Sequence, residues 1–272
     1  MITREEFEIV SNGSGRVVEE DDKHYKVLLM GDAYIYLPKS DASITPNVVR
    51  DFYWESWVSA WFHDEVGNYS TFVDVGMNSG YYSVLAARQG VDVIGFEPNP
   101  KYHETLALTA ESNPDFNIRV IEAAASDSLG RVTLAVPGEL EGGASISETF
   151  KDEAFNARTF SRPVESFDVA SVTLDSELCH IDQDGGVLVK IDTEGAEEMV
   201  WNGAKEFIEK YRPTFFIEYT PGMYSDGFLD RLLEYGDVAA IGFDGEEHLI
   251  APESLESQSD WVMIVIRPRS LN

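Results

Sequence analysis

The chain has 272 residues, of which 20 are Lys or Arg and 49 are Asp or Glu, so its formal net charge is −29. Because phosphate binding needs clustered basic side chains, this balance excludes a nucleic-acid partner. With 43% hydrophobic and 12% aromatic residues, the chain is not a disordered acidic protein, and it is long enough for one large α/β domain with an extension.

Residues 1–69 are predicted to form an N-terminal extension that is rich in short strands and ends in a helix. Turn signals in residues 1–45 predict short strands, of which His24 to Met30 and Ala33 to Leu37 form a hairpin. Aromatic side chains then recur at helical spacing over residues 46–69. This stripe is predicted to pack in the core, with the alternative that part of it covers a cofactor.

In residues 70–272 the predicted strands and helices alternate, which is typical of a parallel sheet covered on both faces. We therefore expect a Rossmann-like, doubly wound, mostly parallel seven-stranded sheet. The polar segment 137–168 is too long for an ordinary connection and is predicted to be a functional lid or a disordered loop. The predicted strands of the sheet are 71–75, 91–97, 117–123, 186–192, 213–219, 237–243 and 261–266, and residues 131–136 are predicted to form an extra strand. The predicted helices are 79–89, 100–112, 196–210 and 225–235.

The first strand of this region leads into a glycine turn, FVDVGMNSGYYS. The spacing through Asp74, Gly76 and Gly80 is D-x-G-x-x-x-G, whereas a dinucleotide fingerprint needs G-x-G-x-x-G. The Asp74 carboxylate repels phosphate and suits an ammonium or a ribose hydroxyl. The turn therefore favours a cofactor without phosphate and with a positive end, such as S-adenosylmethionine. The alternative is a glycine turn of an arbitrary α/β domain.

Two further strand ends fit the same type of cofactor. Glu97 ends the second strand roughly 20 residues beyond the turn, where an acid can accept hydrogen bonds from ribose hydroxyls. After the third strand, the small residues Ala123 to Ala125 leave room for an adenine ring, and Asp127 is placed to accept its exocyclic amine. The alternatives are an exposed charge at Glu97 and an ordinary turn that ends at Gly130.

A later buried strand, VLVKI, again ends in acids, and Gly195 opens the next helix. Ligands of open α/β sheets bind outside the carboxyl ends of the strands. Any single acid there could be a helix cap or a surface charge, but a set of five exceeds what capping requires. We expect one rim to carry the carboxylates of Asp74, Glu97, Asp192, Glu194 and Glu218.

Five blocks of the sequence together resemble the FkbM family of S-adenosylmethionine-dependent methyltransferases. The blocks occur in the family's order over residues 70–220, and K-I-D-x-E-G-A-E is the most family-specific pattern. The resemblance implies a class I methyltransferase fold and O-methylation of sugar, glycan or natural-product hydroxyls. The blocks are FVDVGMNSGYYS, GFEPNP, AAASDSLG, VTLDSEL with VKIDTEGAEEMVWNGA, and PTFFIEY.

The resemblance also implies roles for single residues, although Met77 stands where alanine is commoner. It assigns the methionine end of the cofactor to Asp74, Gly76, Asn78 and Gly80, the ribose to Glu97, the adenine to Ser126 and Asp127, further cofactor contacts to Tyr81 and Asn99, and the side that faces the transferred methyl group to Asp192 and Glu194.

Methyl transfer is an in-line displacement, so alignment supplies most of the catalysis. A sugar hydroxyl is weakly acidic, and we expect Asp192 first and Glu194 second as its general base. Alternatively, both acids bind a divalent metal together with Glu218, although no metal is favoured. His63, on the helix before the first strand, is a further candidate base.

Three alternatives to sugar O-methylation stay open. A hexuronic-acid carboxylate would accept the methyl group without a base, because it is already ionised. A nucleotide-sugar or NAD-dependent oxidoreductase is disfavoured by the missing third glycine. A non-catalytic binding module with the same fold would bind the cofactor without consuming it. The expected partner is a small-molecule or glycan acceptor, and the sequence does not predict the oligomeric state.

Other features concern the surroundings of the protein. The acids are spread over the whole chain, which is typical of proteins from salt-loving organisms, where salt screens self-repulsion. Cys179 is the only cysteine and is predicted to be a small buried group. Residues 1–6 lack the apolar core of a signal peptide, and no apolar run approaches membrane-spanning length. The sequence therefore predicts a soluble, cytoplasmic protein.

Overall fold

The structure is a computed structural model that describes residues 2–138, 141–146, 163–181 and 185–269. Its helices, numbered over these residues, are α1 (Arg4–Ser14), α2 (Thr45–Asp51), α3 (Ser56–Glu65), α4 (Tyr81–Arg88), α5 (Pro100–Ser112), α6 (Leu174–Glu177), α7 (Glu197–Asn202), α8 (Lys205–Tyr211), α9 (Phe228–Tyr235) and α10 (Pro252–Glu256). Its strands are β1 (Arg16–Glu20), β2 (His24–Leu29), β3 (Ala33–Pro38), β4 (Thr71–Val75), β5 (Asp92–Phe96), β6 (Ile118–Ile121), β7 (Ala124–Ala125), β8 (Gly130–Pro137), β9 (Val164–Val172), β10 (Val187–Ile191), β11 (Thr214–Tyr219), β12 (Gly236–Ile241), β13 (Glu247–Leu249) and β14 (Val262–Pro268).

The main sheet has eight strands in the order β13-β12-β14-β11-β10-β4-β5-β6. The pairs from β6 to β11 are parallel, and β14 inserts antiparallel between β11 and β12. This confirms the predicted doubly wound, mostly parallel fold. The eighth strand is the three-residue edge strand β13, which pairs only with β12 in the described sheet and which the alternation pattern did not reveal.

Both faces of the main sheet are buried, as the apolar runs of its strands predict. Alternate residues of each strand point to opposite faces. Phe72, Leu188 and Phe216 pack on the face covered by α3 and α4, while Val189 and Ile217 pack on the face covered by α7, α8 and α9. The site at the sheet edge therefore stands on a rigid, two-sided core.

The N-terminal segment begins with α1, so the prediction of short strands over residues 1–45 is wrong for residues 4–14. Thr3 and Glu6 form a reciprocal capping box at the start of this helix. Phe7 and Ser11 are the buried residues of this helix. These interactions outweigh the local turn signal of Asn12-Gly13, which lies in the last turn of the helix.

The rest of the N-terminal segment contains the predicted hairpin. Strands β2 and β3 pair antiparallel from His24–Pro38 to Leu29–Ala33, which confirms that prediction, and β1 adds a third strand. The predicted aromatic helix is divided into α2 and α3. Phe52 and Glu55, at the break, have left-handed backbone conformations with φ of 61° and 39°.

Segment 137–168 is only partly a loop. β8, which confirms the predicted strand 131–136, pairs antiparallel with β9, so residues 164–168 belong to a strand. Residues 142–144 and Ile146 lie against the cavity described below. The predicted lid otherwise concerns residues 139, 140 and 147–162, which lie outside the described residues.

The structure corrects two local predictions. The predicted helix 196–210 is divided into α7 and α8 at Gly203, where a Cβ atom would lie 2.0 Å from the carbonyl oxygen of Ser126. Cys179 is exposed rather than buried. Within the described residues, every helix is too short or too polar to cross a lipid bilayer.

Candidate active site

A cavity of about 710 Å³ opens at the carboxyl ends of β4, β5, β10 and β11. The strand order reverses between β4 and β10, and such a reversal is where open α/β sheets bind ligands. The N-terminal segment lies over this edge and contributes residues 53–57 to the cavity lining. The cavity is therefore built from the main sheet and from the segment that precedes it.

The glycine turn after β4 is held tightly against the loop after β10. Gly76 has a φ of 78°, and a Cβ atom there would lie 1.8 Å from the carbonyl oxygen of Asp192. Met77 fills the space above Gly95, where a Cβ atom would lie 2.2 Å from its sulfur. The turn thus requires glycine at position 76 for close packing. The bulky side chain of Met77 fits because residue 95 on the neighbouring strand is a glycine.

Glu97 ties the glycine turn to the loop after β5. Its carboxylate accepts hydrogen bonds from the backbone N–H groups of Asn78 at 2.5 Å and Asn99 at 2.7 Å. It is 5% exposed and lines the cavity. Burial raises the pKa of Glu97 to about 7, although the two amides oppose this shift. A carboxylate has about four acceptor positions, so Glu97 retains acceptor capacity towards the cavity.

Lys190 is the buried cation of the site, and the sequence analysis missed it. Its register partner on β4 is Asp74, and its Nζ atom lies 2.9 Å from Asp192 Oδ2 and 3.8 Å from Asp74 Oδ1. Asp74 also accepts a hydrogen bond from the Ser83 hydroxyl at 2.6 Å. Asp74 thus lies beneath the glycine turn, outside the described cavity lining, whereas Lys190 and Asp192 both line the cavity.

Asp192, Glu194 and Glu218 come together, as the rim prediction requires. One oxygen atom from each lies within 4.8 Å of the others. Burial alone would raise the pKa of Asp192, but the Lys190 ammonium and hydrogen bonds from Glu218 and Lys190 hold it below its usual range. Burial, and next the charge of Asp192, raise the pKa of Glu194 and Glu218. Asp192 is therefore the ionised member at neutral pH. Three carboxylates in this arrangement are also ligands of the type that Mg²⁺ accepts.

Glu197 positions the loop that carries Glu194, and it too was missed. It is 1% exposed and accepts hydrogen bonds from Thr193 N at 2.8 Å, Gly195 N at 3.2 Å and the Tyr224 hydroxyl at 3.0 Å. These bonds hold Glu194 in its left-handed backbone conformation, with a φ of 56°. The last acid of the K-I-D-x-E-G-A-E block, which is Glu197 itself, was the available signal.

Glu55 adds a further carboxylate from the N-terminal segment. It lines the cavity and accepts a hydrogen bond from the Tyr82 hydroxyl at 3.3 Å. Burial, and next the charge of Asp192, raise the pKa of Glu55 to about 7. No spacing in the sequence indicated this contact, because Glu55 is far from the strand ends along the chain.

The remaining predicted residues divide into two groups. Asn78 and Tyr81 line the cavity beside Gly76. The described lining includes Ala124 and Ala125 but not the predicted residues Asp74, Gly80, Asn99, Ser126 and Asp127.

Two of those outlying residues have other local contacts. The Asn99 side chain caps α5 by accepting a hydrogen bond from Lys101 N, and exposed Asp127 accepts one from the Ser128 hydroxyl. The candidate base His63 is also outside the lining. Its ring packs 5.9 Å from that of Phe7, so His63 belongs to the contact between α1 and α3.

The switch-point cavity with an acidic rim, on a mostly parallel sheet with an antiparallel β14, is the architecture of a class I methyltransferase. A family model described as the methyltransferase FkbM domain matches residues 74–241. The chain therefore belongs to the FkbM methyltransferase family, which confirms the resemblance found in the sequence. The usual cofactor of methyltransferases is S-adenosylmethionine.

Several solved structures are similar to this chain. Methyltransferase FkbM from Methylobacillus flagellatus KT is 15% identical, with 73% of this chain and 44% of that chain covered and a TM-score of 0.44. The bifunctional kinase-methyltransferase WbdD is 10% identical, with 78% and 38% covered and a TM-score of 0.43. An rRNA methylase from Streptococcus thermophilus is 10% identical, with 78% and 97% covered and a TM-score of 0.41.

The chain spans less than half the length of the first two of these structures. No curated protein matches it significantly.

Proposed function

We propose that this protein transfers the methyl group of S-adenosylmethionine to a sugar hydroxyl of a glycan or glycolipid precursor. The observation that carries this proposal is the acidic rim at the switch point, where Glu97, Asp192 and Glu194 line one cavity. Carboxylates suit the ammonium, the sulfonium and the ribose hydroxyls of this cofactor. Glu97 retains acceptor capacity for the ribose, and the glycine turn allows close approach of backbone.

The charges of the cavity disfavour a phosphate-bearing cofactor such as NAD. The basic residues in the described lining are Arg4, Arg50 and Lys190. Each is already paired with a carboxylate, of Glu8, Asp51 and Asp192 respectively. A pyrophosphate in this cavity would therefore be repelled by the carboxylates and would find no basic side chain of the described lining without a carboxylate partner.

When bound, S-adenosylmethionine supplies an electrophilic methyl group on a positively charged sulfur. The chain supplies alignment and a place for the acceptor proton. Asp192, held ionised by Lys190, accepts a hydrogen bond from the acceptor hydroxyl and is our first candidate for the base. Glu194 is the second candidate, because it lies beside Asp192 in the same cavity and its raised pKa makes it, once ionised, the stronger base of the two.

Calorimetry with S-adenosylhomocysteine and NAD, in molar salt, tests the cofactor. We expect the first to bind and the second not to bind, and the reverse preference would contradict the proposal. A screen of cofactor consumption against sugars and lipid-linked glycans then tests the reaction. Binding without consumption by any acceptor would favour a non-catalytic module. Methylation of hexuronic acids that survives Asp192→Asn would favour a carboxylate acceptor.

A further part of the proposal concerns the division of the chain. We infer an N-terminal extension over residues 1–69 and a cofactor-binding domain over residues 70–272, in which the extension supplies one side of the acceptor cavity. The net charge of −29 supports adaptation of this enzyme to high salt.

A further inference from the structure

Aromatic side chains form one side of the cavity mouth. Trp57 and Trp261 stack with ring centroids 6.4 Å apart and an interplanar angle of 20°. The Phe243 ring packs 5.0 Å from Trp57 and is 74% exposed. Tyr53 and Trp54 line the same cavity. We call the four lining residues, Tyr53, Trp54, Trp57 and Trp261, the aromatic wall.

The wall is fixed in place by contacts between separate parts of the chain. The Arg4 guanidinium lies 5.8 Å from the Trp57 ring centroid. Arg4 also donates hydrogen bonds to the Ser56 hydroxyl at 2.9 Å and to the Phe243 carbonyl at 3.1 Å. A binding surface that is already ordered loses less conformational entropy when a ligand arrives. These contacts join α1, α3 and the turn after β12 around Trp57.

Two residues of the wall, Trp57 and Trp261, lie away from the predicted ribose contact Glu97. Glu97 follows β5, and Trp261 directly precedes β14, whose first residue pairs with Tyr219 at the carboxyl end of β11. Four strand spacings separate β5 from β14, which is about 19 Å at about 4.8 Å per spacing. Trp261, together with the Trp57 ring that stacks on it, therefore lies towards the opposite end of the cavity from the predicted ribose contact.

Acids adjoin the wall on the inner side of the cavity. Glu55 lies between Trp54 and Trp57 in the sequence and accepts a hydrogen bond from the Tyr82 hydroxyl. Glu194 and Glu218 line the cavity from the ends of the sheet. A ligand that fits both surfaces needs one apolar face and several hydroxyl groups at its edge. A pyranose ring has both, with C–H bonds on its faces and hydroxyls around it, whereas a simple phenol has a single hydroxyl.

We propose that the aromatic wall is the acceptor subsite and that it takes a pyranose ring, with Trp57 and Trp261 against the C–H face and Glu55 accepting ring hydroxyls. This inference rests on the proposed methyl transfer to a sugar and adds the residues that select the acceptor. It gives the N-terminal segment a specific role, since three of the four wall residues belong to it.

Saturation-transfer NMR with methyl glycosides of hexoses and of a hexuronic acid tests the subsite, with and without S-adenosylhomocysteine. We expect transfer to ring C–H protons of at least one pyranoside in the wild-type protein. Trp57→Ala should reduce this signal at least about five-fold, and Trp57→Phe should retain most of it because a flat aromatic face remains. Tyr34→Ala is a matched control, since Tyr34 is a half-buried ring under Lys26, outside the described cavity lining.

Two control measurements are made on each variant, namely the affinity for S-adenosylhomocysteine by calorimetry and the melting temperature. Substitutions in the acceptor subsite should leave both unchanged. Equal pyranoside signals in the wild type and Trp57→Ala would overturn the inference, as would the absence of any signal or a preference for a phenol probe over all pyranosides. A large loss of S-adenosylhomocysteine affinity in Trp57→Ala would assign the wall to the cofactor instead. If the wild type binds no S-adenosylhomocysteine, the proposed function fails, and the pyranoside signal measured without it still decides about the wall.

Discussion

The Nζ atom of Lys190 lies 2.9 Å from Asp192 Oδ2, and the ammonium group is almost completely buried. Asp74, on the adjacent strand, is also buried, and its Oδ1 atom lies 3.8 Å from the same Nζ atom. Lys190 thus compensates two acids, one beneath the glycine turn and one at the cavity. This arrangement couples the stability of the sheet edge to the charge of the candidate base.

Replacement of this cation should be strongly destabilising. Lys190→Met leaves the buried Asp74 and the partly exposed Asp192 without a compensating charge, and the loss of one partner from a buried ion pair costs about 3–5 kcal/mol. In the wild type, the lowered pKa of Asp192 stabilises the folded state above the ordinary Asp range, and this contribution is lost as the pH falls through the folded pKa. The difference in unfolding free energy should therefore be largest near neutral pH and smaller in acid. Denaturant titrations at several pH values measure it, and a difference that does not change with pH would contradict the ion-pair account.

Asp192→Asn tests the reacting group. The substitution keeps the shape of the side chain and removes its negative charge, so turnover should fall by about 10²–10⁴, the usual range for loss of a general base. Calorimetry should show cofactor affinity within a few-fold of the wild type. Asp168→Asn, an exposed acid paired with Arg131, is the control and should retain full activity.

The same assay separates the base from a metal site. If turnover survives Asp192→Asn but not Glu194→Gln, the base is Glu194. Chelation with EDTA should leave wild-type turnover unchanged, whereas activity lost on chelation and restored by Mg²⁺ would assign the three carboxylates to a metal ion.

Glu97→Gln tests the ribose contact. Each carboxylate oxygen of Glu97 accepts one backbone N–H, so Gln keeps one of these two acceptors and replaces the other with an NH2 donor. It also removes the charged acceptor for the ribose hydroxyls, and hydrogen bonds to a charged group are worth about 1.5–3 kcal/mol. Affinity for S-adenosylmethionine should therefore fall by about one to two decades. Glu104→Gln, at an exposed position on α5, should leave the affinity unchanged. Unchanged affinity in Glu97→Gln would show that the ribose lies elsewhere.

The sequence predicted those parts of the site that depend on local pattern. Gly76 and the acids at the strand ends were recognisable because a turn and a strand end are each encoded within a few residues. Lys190 was missed because its role arises from its register with Asp74 across two strands, which local pattern does not reveal. Glu55 was missed for a related reason, since only tertiary packing brings the start of α3 over the sheet edge.

The raised pKa of Glu55 predicts a pH-dependent change in stability. Because the folded protein holds this proton up to about pH 7, it binds more protons than the unfolded chain from about pH 4.5 to 7. Stability should therefore fall as the pH rises through this window, by about 3 kcal/mol for this group. Glu55→Gln removes the effect, so the variant should match the wild type at pH 4.5 and exceed it at pH 8. Denaturant titrations at both pH values measure this, and an equal difference at both would refute it.

The net charge predicts a dependence on salt. The chain carries −29, so repulsion among carboxylates opposes the compact state. This repulsion acts over a Debye length of about 30 Å at 0.01 M salt but only about 3 Å at 1 M. The melting temperature and activity should therefore rise steadily from tens of millimolar to molar salt. Thermal melts at mildly acidic pH should show a weaker dependence, because protonated carboxylates no longer repel each other. A flat melting temperature at neutral pH would refute adaptation to high salt and leave the methyltransferase assignment unchanged.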